Sequence, residues 1–295
     1  MAEVEIRQAR PEDRESVLTF CAHTWEWGDY IERVWDDWVR DVNGELFVAV
    51  LDDRPVGVTH LRMLNETDAW LEGIRVDPEY RGRGIGNLLN NASLEEAMRR
   101  GATNARLITE STNEATIHMM ENIHMRLVGS FAPFLAQPIV EAGRRQPVSD
   151  ATQVATLDDL DEIIDYLNAS NTFPAVGGLY YAGFTAYEIS AQLLQEKIEA
   201  QHIYLLRRWD RLDGLAIAEP RDDRQGKRLS VGYIDGMTIE AISLVAYDLR
   251  RHLSASGLLS IYAYAPDLVL VRDGLAGIEY EWDGKLFYTY ERGLV

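Results

Sequence analysis

Two arginines and three glycines stand close together at residues 81–86, in the order Arg-Gly-Arg-Gly-Ile-Gly. An alternating stretch at 69–78 precedes them and predicts a strand, and a periodic apolar stretch from Asn87 to Arg100 follows and predicts a helix. Glycines let backbone N–H groups approach a ligand closely, and a helix N-terminus adds positive potential. The loop is therefore predicted to bind an anion, most naturally a diphosphate. The alternative is that Arg81 and Arg83 are only solvated surface residues.

The spacing of this loop excludes two common nucleotide-binding loops. A dinucleotide-binding fold needs G-x-G-x-x-G near the start of a parallel βαβ unit, whereas these glycines are spaced G-x-G-x-G and follow a predicted hairpin. A Walker loop needs Gly-Lys followed by Ser or Thr, and residues 81–87 contain no such run. The predicted diphosphate therefore belongs to another class of ligand.

The spacing R-x-x-G-x-G at Arg81, Gly84 and Gly86, preceded by V-D-P-E-Y, resembles the acetyl-CoA loop of the GNAT superfamily of acyl-CoA-dependent N-acyltransferases. The resemblance covers about the first 135 residues and implies acetyl-CoA as the cosubstrate. It implies that the backbone of three strand residues binds the pantetheine arm and that Asn113 contacts the arm near the thioester. The strand residues are Ile74, Arg75 and Val76, and the residues implied to hold the diphosphate are Arg81, Gly82, Arg83, Gly84, Ile85, Gly86 and Asn87.

Acyl transfer to an amine requires a group that takes up the amine's proton. Glu72 lies on the strand that the resemblance assigns to CoA, and it could accept that proton directly or through water. The alternative is that Glu72 only binds the charge of the acceptor or pairs with an arginine. Glu110, at the end of the next predicted strand, is the second candidate carboxylate. His60 on the hairpin is expected to be a structural histidine rather than a base.

One position departs from the GNAT pattern. Seven residues after Asn113, where many members carry a tyrosine that protonates the leaving thiolate, this chain has Met120. A thioether cannot donate a proton. His118, His124, Tyr30 or water is expected to act instead, or the thiolate, with a pKa of about 8.5, leaves with little help.

Aromatic residues crowd residues 25–38, with the sequence WEWGDYIERVWDDW. Trp27 and Tyr30, together with Trp70 on the strand before the loop, are predicted to line the acceptor pocket; packing of a hydrophobic core is the alternative. This segment also resembles the GNAT branch that contains vertebrate histidine N-acetyltransferase. The sequence LEGI before the loop is shared more loosely with aminoglycoside acetyltransferases, so both resemblances imply a small amine as the acceptor.

Charge and composition restrict the partners of the chain. Its 295 residues include 29 Lys and Arg against 48 Asp and Glu, which gives a formal net charge of −19. Nucleic acid and anionic membranes are poor partners for such a surface, whereas a cationic amine is attracted to it. The longest apolar runs are too short to span a bilayer and the N-terminus lacks an apolar signal region, so a cytoplasmic location is expected. The single cysteine, Cys21, excludes an intramolecular disulfide and a thiolate metal site, and no metal is expected; a catalytic thiol stays open.

The second half of the chain repeats the order of predicted elements in the first half. Ala9 and Asp13 match Ala155 and Asp159, and Gly57 matches Gly214. In the second copy the strand runs through residues 236–238 directly into its helix, without an anion-binding loop. We therefore predict an α/β (α+β) fold of two GNAT-like mixed-sheet domains, residues 1–138 and 151–295, joined by a linker at 139–150. The second domain is degenerate and is expected to complete an acceptor pocket or to stabilise the first.

These features predict an N-acetyltransferase that moves an acetyl group from acetyl-CoA to the amine of a small molecule by direct transfer in a ternary complex. The acceptor classes considered are an amino acid, a polyamine and an aminoglycoside-like compound. Two alternatives stay open. One is an acyl-CoA-binding sensor that has lost turnover, which Met120 supports, and the other is a protein N-terminal or lysine acetyltransferase, which requires an open groove. The sequence does not predict the oligomeric state.

Overall fold

The computed structural model describes residues 3–24, 28–139, 151–223 and 226–294, and the chain divides into two compact units. The first unit comprises Met1–Thr109, Asn113–Leu127 and Tyr290–Val295. The second comprises Glu110–Thr112 and Val128–Thr289.

The first unit is a mixed sheet with helices on both faces. Its elements in chain order are β1 (Glu5–Gln8), α1 (Arg14–Cys21), α2 (Ile31–Val39), β2 (Gly44–Leu51), β3 (Arg54–Met63), β4 (Asp68–Val76), α3 (Ile85–Arg99), β5 (Asn104–Glu110) and α4 (Glu114–Asn122). Strands β1 to β4 pair antiparallel in chain order, and β4 pairs with β5 in parallel. Parallel neighbours need a crossover connection, and α3 supplies it.

Two apolar clusters attach the helices to this sheet. Helices α1 and α2 pack with Val48 and Val50 of β2, whereas α3 packs with Ala49 and Leu51 of the same strand. Successive residues of a strand point to opposite faces, so the two clusters cover the two sides of the sheet. The helix predicted after the loop is therefore confirmed, although α3 begins at Ile85, two residues before the predicted start.

The second unit repeats this order of elements. The elements that follow α4 are β6 (Arg126–Ala136), β7 (Gln153–Val154), α5 (Leu160–Ala169), α6 (Thr172–Ala175), β8 (Leu179–Tyr181), β9 (Ala186–Glu188), α7 (Ala191–Glu199), β10 (Ile203–Arg208), β11 (Arg211–Asp223), β12 (Gly226–Gly236), α8 (Ile239–Ser256), β13 (Ser260–Pro266), α9 (Val269–Ala276), β14 (Glu281–Trp282) and β15 (Phe287–Gly293). Strands β7, β10, β11 and β12 pair antiparallel in that order, and β12 pairs with β13 in parallel, as β4 does with β5.

Matched residues play the same part in both copies. Asp13 accepts a hydrogen bond from the N–H of Arg10 at 2.7 Å, and Asp159 accepts one from the N–H of Thr156 at 2.7 Å. A Cβ on Gly57 would lie 2.9 Å from Leu89 of α3, and a Cβ on Gly214 would lie 3.1 Å from Val245 of α8. Both glycines thus let the long helix pack closely on its sheet. The predicted repetition of elements is confirmed.

The bounds of the two units differ from the predicted division into 1–138 and 151–295. Residues 131–136 of β6 pair with β13 and belong to the second unit, while the chain from Tyr290 onwards belongs to the first. A sequence pattern predicts a strand but not its partner, because pairing depends on contacts between distant residues. Of the predicted linker 139–150, all but Ile139 lies outside the described residues.

A buried ion-pair network anchors the C-terminal segment within the first unit. Arg106 is buried, and its guanidinium donates to Asp68 at 2.8 Å and to Glu291 at 2.7 Å. Arg126 donates to the other oxygen of Glu291 at 2.9 Å. Burial acts to raise the pKa of Glu291, but the hydrogen bonds from Arg126 and Arg106 outweigh it and hold the pKa below its ordinary value.

We expect Glu291→Gln to destabilise the full chain by about 1–3 kcal/mol at pH 7, because a neutral amide replaces the carboxylate and its single oxygen can accept from only one of the two guanidinium groups. A carboxylate with a lowered pKa contributes stability above its unfolded-state pKa of about 4.3, and this contribution is lost as the pH falls through the folded-state value. The difference from the parent protein should therefore shrink below about pH 4.3. Urea unfolding at pH 7 and pH 3.5 measures it, with Glu66→Gln on an exposed turn as the control. An equal loss at both pH values would contradict the assignment.

Candidate functional site

Asp77 fixes the backbone just before the loop at residues 81–86, which is predicted to bind an anion. This buried carboxylate accepts from the N–H of Glu79 at 3.1 Å and from Arg54 at 3.1 Å, and the N–H of Asp77 donates to Val56 at 2.9 Å. A single helical turn at Pro78–Tyr80 follows, and the loop then leads directly into α3. The end of β4 and the start of α3 are thereby fixed relative to each other.

The start of α3 is open and positively polarised. Gly82 and Gly84 have φ values of +74° and +80°, and a Cβ on either would meet nothing within 4 Å. Gly84 occupies the capping position, where it offers no side chain, and no acidic residue stands in the first turn. The first N–H groups of a helix have no partner within it, so those of Ile85, Gly86 and Asn87 are available to an anion.

The two loop arginines are exposed beside this helix start. Arg81 donates to the carbonyl of Val76 at 3.2 Å, and Arg83 lies 5.0 Å from the centre of the Tyr80 ring. Arg83 also donates to the carbonyl of Glu79 at 3.5 Å. All three of these partners are neutral groups, so they do not offset the positive charge beside the helix start. The structure therefore brings together the seven residues predicted to hold a diphosphate, which are Arg81, Gly82, Arg83, Gly84, Ile85, Gly86 and Asn87. Gly86 also has a packing role, because its Cβ would lie 2.9 Å from the sulfur of Met119.

Strand β4 carries a bulge at Gly73. Its register with β3 shifts between His60–Glu72 and Val58–Arg75, and Gly73 has a φ of +71°. A bulge places one extra residue in a strand, so the strict alternation predicted along 69–78 is wrong beyond this glycine. Gly73 also lies against Trp38, because a Cβ there would be 2.5 Å from the indole ring.

Strand β4 parts from its parallel neighbour after Trp70, shortly before the bulge. The pairing of β4 with β5 runs from Asp68–Asn104 to Trp70–Arg106. Within the described chain, the following residues of β4, which include Ile74, Arg75 and Val76, are not registered against β5. This part of β4, which the resemblance assigns to the pantetheine arm, is thus not paired with β5. The carbonyls of Ile74 and Val76 accept hydrogen bonds from the side chains of Arg75 at 2.8 Å and Arg81 at 3.2 Å.

Glu72 lies just before the bulge and is partly exposed, with 23% of its side chain accessible. Its Oε1 is 3.1 Å from Nδ1 of His60, which is directly opposite on β3. The carboxylate of Asp41, a residue that the sequence pattern does not single out, is 3.3 Å from Nε2 of the same ring. His60 itself is predicted from sequence to be structural rather than a base. The alternation of β3 and β4 could have indicated the first contact, but not the second.

Tyr30 and Arg75 pack together at the start of α2. Arg75 donates to Asp29 at 2.7 Å and stacks over the Tyr30 ring at 5.3 Å. Burial lowers the pKa of Arg75, but its bond to Asp29 outweighs this and raises it. Burial raises the pKa of Tyr30 to about 12. Tyr30 is therefore a neutral hydroxyl at neutral pH, close to Glu72 in the first unit.

The other predicted site residues have diverse surroundings. Trp70 is buried, which favours the core-packing interpretation, and Trp27 lies outside the described residues. Asn113 caps α4 by accepting from the N–H of Thr116 at 3.2 Å, and its contact with the pantetheine arm stays a prediction. Glu110 ends β5, is partly exposed and groups with the second unit. Its catalytic role also stays a prediction.

Candidates for proton transfer to a leaving thiolate are mostly unsuited by position. Met120 is fully buried, whereas His118 within α4 and His124 two residues after its end are exposed. Burial raises the pKa of Cys21 to about 12, so this thiol is not a nucleophile at neutral pH. The described residues thus give no support to cysteine catalysis.

Helix α8, the counterpart of α3 in the second unit, does not have an open start. In α8 the side chain of Thr238 accepts from the N–H of Ala241 at 3.1 Å, and Glu240 stands in the first turn. A capped N-terminus with an acidic residue is unfavourable for an anion. This confirms in structure the sequence difference between the two copies.

In the part of the chain that is described, no helix is long and apolar enough to cross a membrane, and no three His, Cys, Asp or Glu side chains converge as metal ligands.

Known protein sequences are similar to the first unit. The model of the acetyltransferase (GNAT) family matches residues 12–125. An L-2,4-diaminobutyric acid acetyltransferase of Nocardia farcinica is 31% identical over 108 residues, which are 36% of this chain and 54% of that protein. An acetyltransferase of Sodalis glossinidius is 29% identical over 137 residues, which are 43% of this chain and 90% of that protein. The chain thus spans about half the length of the first of these relatives.

Solved structures share the fold over nearly the whole chain. A GCN5-related N-acetyltransferase from Sphaerobacter thermophilus has a TM-score of 0.60 at 13% identity, covering 99% of this chain and 96% of that one. The glucosamine N-acetyltransferase region of a fungal multi-domain β-N-acetylglucosaminidase has a TM-score of 0.62 at 12% identity, covering 99% of this chain and 38% of that one. The predicted α/β fold with GNAT-like mixed sheets is confirmed.

Proposed function

We propose that this chain, whose residues 12–125 match the acetyltransferase (GNAT) family model, transfers the acetyl group of acetyl-CoA to the amine of a small molecule. The observation that carries this proposal is the open start of α3, which follows directly on the strand that bears Glu72. GNAT acetyltransferases as a family use acetyl-CoA. A diphosphate site and a partly exposed carboxylate on consecutive elements provide the two halves of such a reaction.

The residues around the loop fit the chemistry of CoA. The N–H groups of the first turn of α3 would hold the diphosphate, with Arg81 and Arg83 adding charge. The backbone of Ile74, Arg75 and Val76 would bind the pantetheine arm along the part of β4 that lies beyond its pairing with β5. The side-chain oxygen of Asn113 already caps α4, so its amide nitrogen would be the atom that contacts the arm.

The bound cosubstrate would supply the acetyl group in activated form, as a thioester. Glu72 would take the proton from the acceptor ammonium, since its carboxylate is partly exposed and stands on the CoA-binding strand. Met120 is fully buried and has no proton to give, so we propose that water protonates the thiolate or that it leaves unprotonated. Transfer in a ternary complex needs no nucleophile from the protein.

A small cationic acceptor agrees with the charge of the chain. The net charge of −19 attracts an amine and repels polyanions. The Nocardia relative is named for 2,4-diaminobutyric acid, an amino acid with a second amino group. We propose acceptors of this class, with polyamines and aminoglycosides as the next candidates.

One observation favours a second function. Because Met120 replaces the usual proton donor and is fully buried, the chain could bind acyl-CoA as a sensor without turning it over. A sensor needs the same loop but does not need Glu72 as a base.

Calorimetric titration of the full chain with acetyl-CoA, followed by thiol release in the same sample, tests these functions. We expect one binding site per chain, because the start of α8 is capped. The thiol assay uses diamino acids, other amino acids, polyamines, aminoglycosides and peptides with a free N-terminus or a lysine. Turnover of a small amine supports the proposal, and turnover of peptides alone replaces it with protein acetylation. Binding without turnover indicates the sensor, and no binding overturns the site.

A further inference from the structure

Three titratable side chains of the first unit lie in a row beside the predicted base. Asp41 stands in the turn between α2 and β2, His60 on β3 and Glu72 on β4. Nε2 of His60 is 3.3 Å from Oδ2 of Asp41, and Nδ1 is 3.1 Å from Oε1 of Glu72. A single imidazole thus lies between two carboxylates.

The imidazole has no freedom to turn. His60 is 0% exposed and stacks on Trp38 with ring centres 4.5 Å apart and planes 7° apart. The indole ring of Trp38 is also fixed in place. Gly73 of the bulge lies against its Cη2 and Cζ3 atoms, and the Tyr30 ring contacts it edge-on with ring centres 6.0 Å apart. A ring fixed in this way keeps one nitrogen toward each carboxylate.

Gly44 at the start of β2 is required by the same arrangement. A Cβ on this residue would lie 2.4 Å from Oδ2 of Asp41 and 2.8 Å from Nε2 of His60. The space between the carboxylate and the ring therefore admits no side chain at this position. His60 and Asp41 approach each other because the backbone beside them carries none.

The two contacts differ in kind. Nδ1 and Oε1 are at hydrogen-bond distance, so the tautomer with hydrogen on Nδ1 donates to Glu72. The contact of Nε2 with Asp41 is longer, at 3.3 Å, and lacks hydrogen-bond geometry. Oε1 of Glu72 is then engaged, and the proton of an acceptor would be taken by Oε2.

We propose that His60 is a positioning residue for Glu72, with Asp41 holding the far side of the imidazole. The proposal rests on the proposed acetyl transfer, in which Glu72 meets the acceptor amine. His60 orients the carboxylate that sits at the bulge and leaves one defined oxygen toward the acceptor. It touches neither acetyl-CoA nor the amine.

Two substitutions separate positioning from packing. In His60→Asn the amide nitrogen stands where Nδ1 stood and can still donate to Glu72, whereas in His60→Gln it reaches the place of Nε2 and faces Asp41. We expect His60→Gln to lower kcat by roughly 10- to 100-fold, the effect of one hydrogen bond to a charged group, with the KM for acetyl-CoA unchanged. His60→Asn should recover most of that loss. Thermal unfolding of both variants checks that each is folded.

Equal loss of kcat in two folded variants would overturn the proposal and indicate that His60 only packs under Trp38. No loss in either variant would overturn it as well.

A second measurement does not depend on turnover. ¹⁵N NMR of the His60 ring in the full chain should show hydrogen on Nδ1. The Nδ1 resonance should respond to Glu72→Gln, and the Nε2 resonance should respond to Asp41→Asn. A ring with bare Nδ1 would contradict the proposal even if the enzyme is active. Hydrogen on Nδ1 in a protein without turnover would mean that the arrangement is right and the proposed function is wrong.

Discussion

Gly84→Glu lowers the affinity for acetyl-CoA by roughly 100-fold or more, because it places a carboxylate where the diphosphate is expected and like charges in contact cost several kcal/mol. Gly84 stands at the capping position of α3, with a φ of +80° and open space around its Cα. The new side chain would point into that space. Its carboxylate would also neutralise part of the positive potential at the helix start, which the diphosphate needs. Calorimetric titration with acetyl-CoA measures the loss.

Gly284→Glu is the matched control. Gly284 has a φ of +84°, and a Cβ there would also meet nothing within 4 Å. The substitution therefore introduces the same charge and a similar backbone strain, but in a turn of the second unit after β14. We expect its affinity for acetyl-CoA to equal that of the parent protein. Unchanged affinity in Gly84→Glu, or equal losses in the two variants, would overturn the assignment of the loop.

The loop could be predicted from sequence because its chemistry is local. Arg81, Gly82, Gly84 and the following helix start are contiguous, and the residues that a helix start needs are read directly from the chain. The cap of α4 by Asn113 was predictable for the same reason, since a cap bonds an N–H three residues away. Local rules of this kind also identified the repetition of elements in the second unit.

The environment of Glu72 could not be predicted in the same way. The bulge at Gly73 adds one residue to β4, and a pattern of alternating residues does not show where an extra residue lies. A glycine inside a strand was the available signal. The contact of His60 with Asp41 joins residues on different elements, and it depends on Trp38 packing over the ring.

The last strand illustrates the same limit on a larger scale. Glu291 is a common residue in an exposed-looking segment of the sequence, yet it binds Arg106 and Arg126 of the first unit. Arg106 is buried, and a buried guanidinium requires carboxylates beside it, which accounts for its contact with Glu291. Such an ion pair joins residues far apart in sequence, so it can be identified only once the fold is known.

Glu72→Gln should lower kcat by about 100-fold or more if this residue takes the proton from the acceptor amine. Glutamine has nearly the same shape, and its oxygen can still accept from Nδ1 of His60, so the bulge and the stacked ring are expected to remain. Only the capacity to take up a proton is lost. The KM for acetyl-CoA should not change, because the diphosphate site begins nine residues further along the chain, at Arg81.

The steady-state constants for the amine distinguish the two roles that the sequence left open for Glu72. A carboxylate that only binds the acceptor's charge contributes equally to the ground and transition states, so its loss raises the KM for the amine and leaves kcat unchanged. Glu110→Gln, measured in parallel, removes the other candidate carboxylate at the end of β5. A fall in kcat with Glu110→Gln and none with Glu72→Gln would transfer the role of base to Glu110. A fall in kcat with Glu72→Gln alone would identify the carboxylate beside His60 as the base. The bulge at Gly73 would then have a role in catalysis, because it directly follows Glu72 in β4.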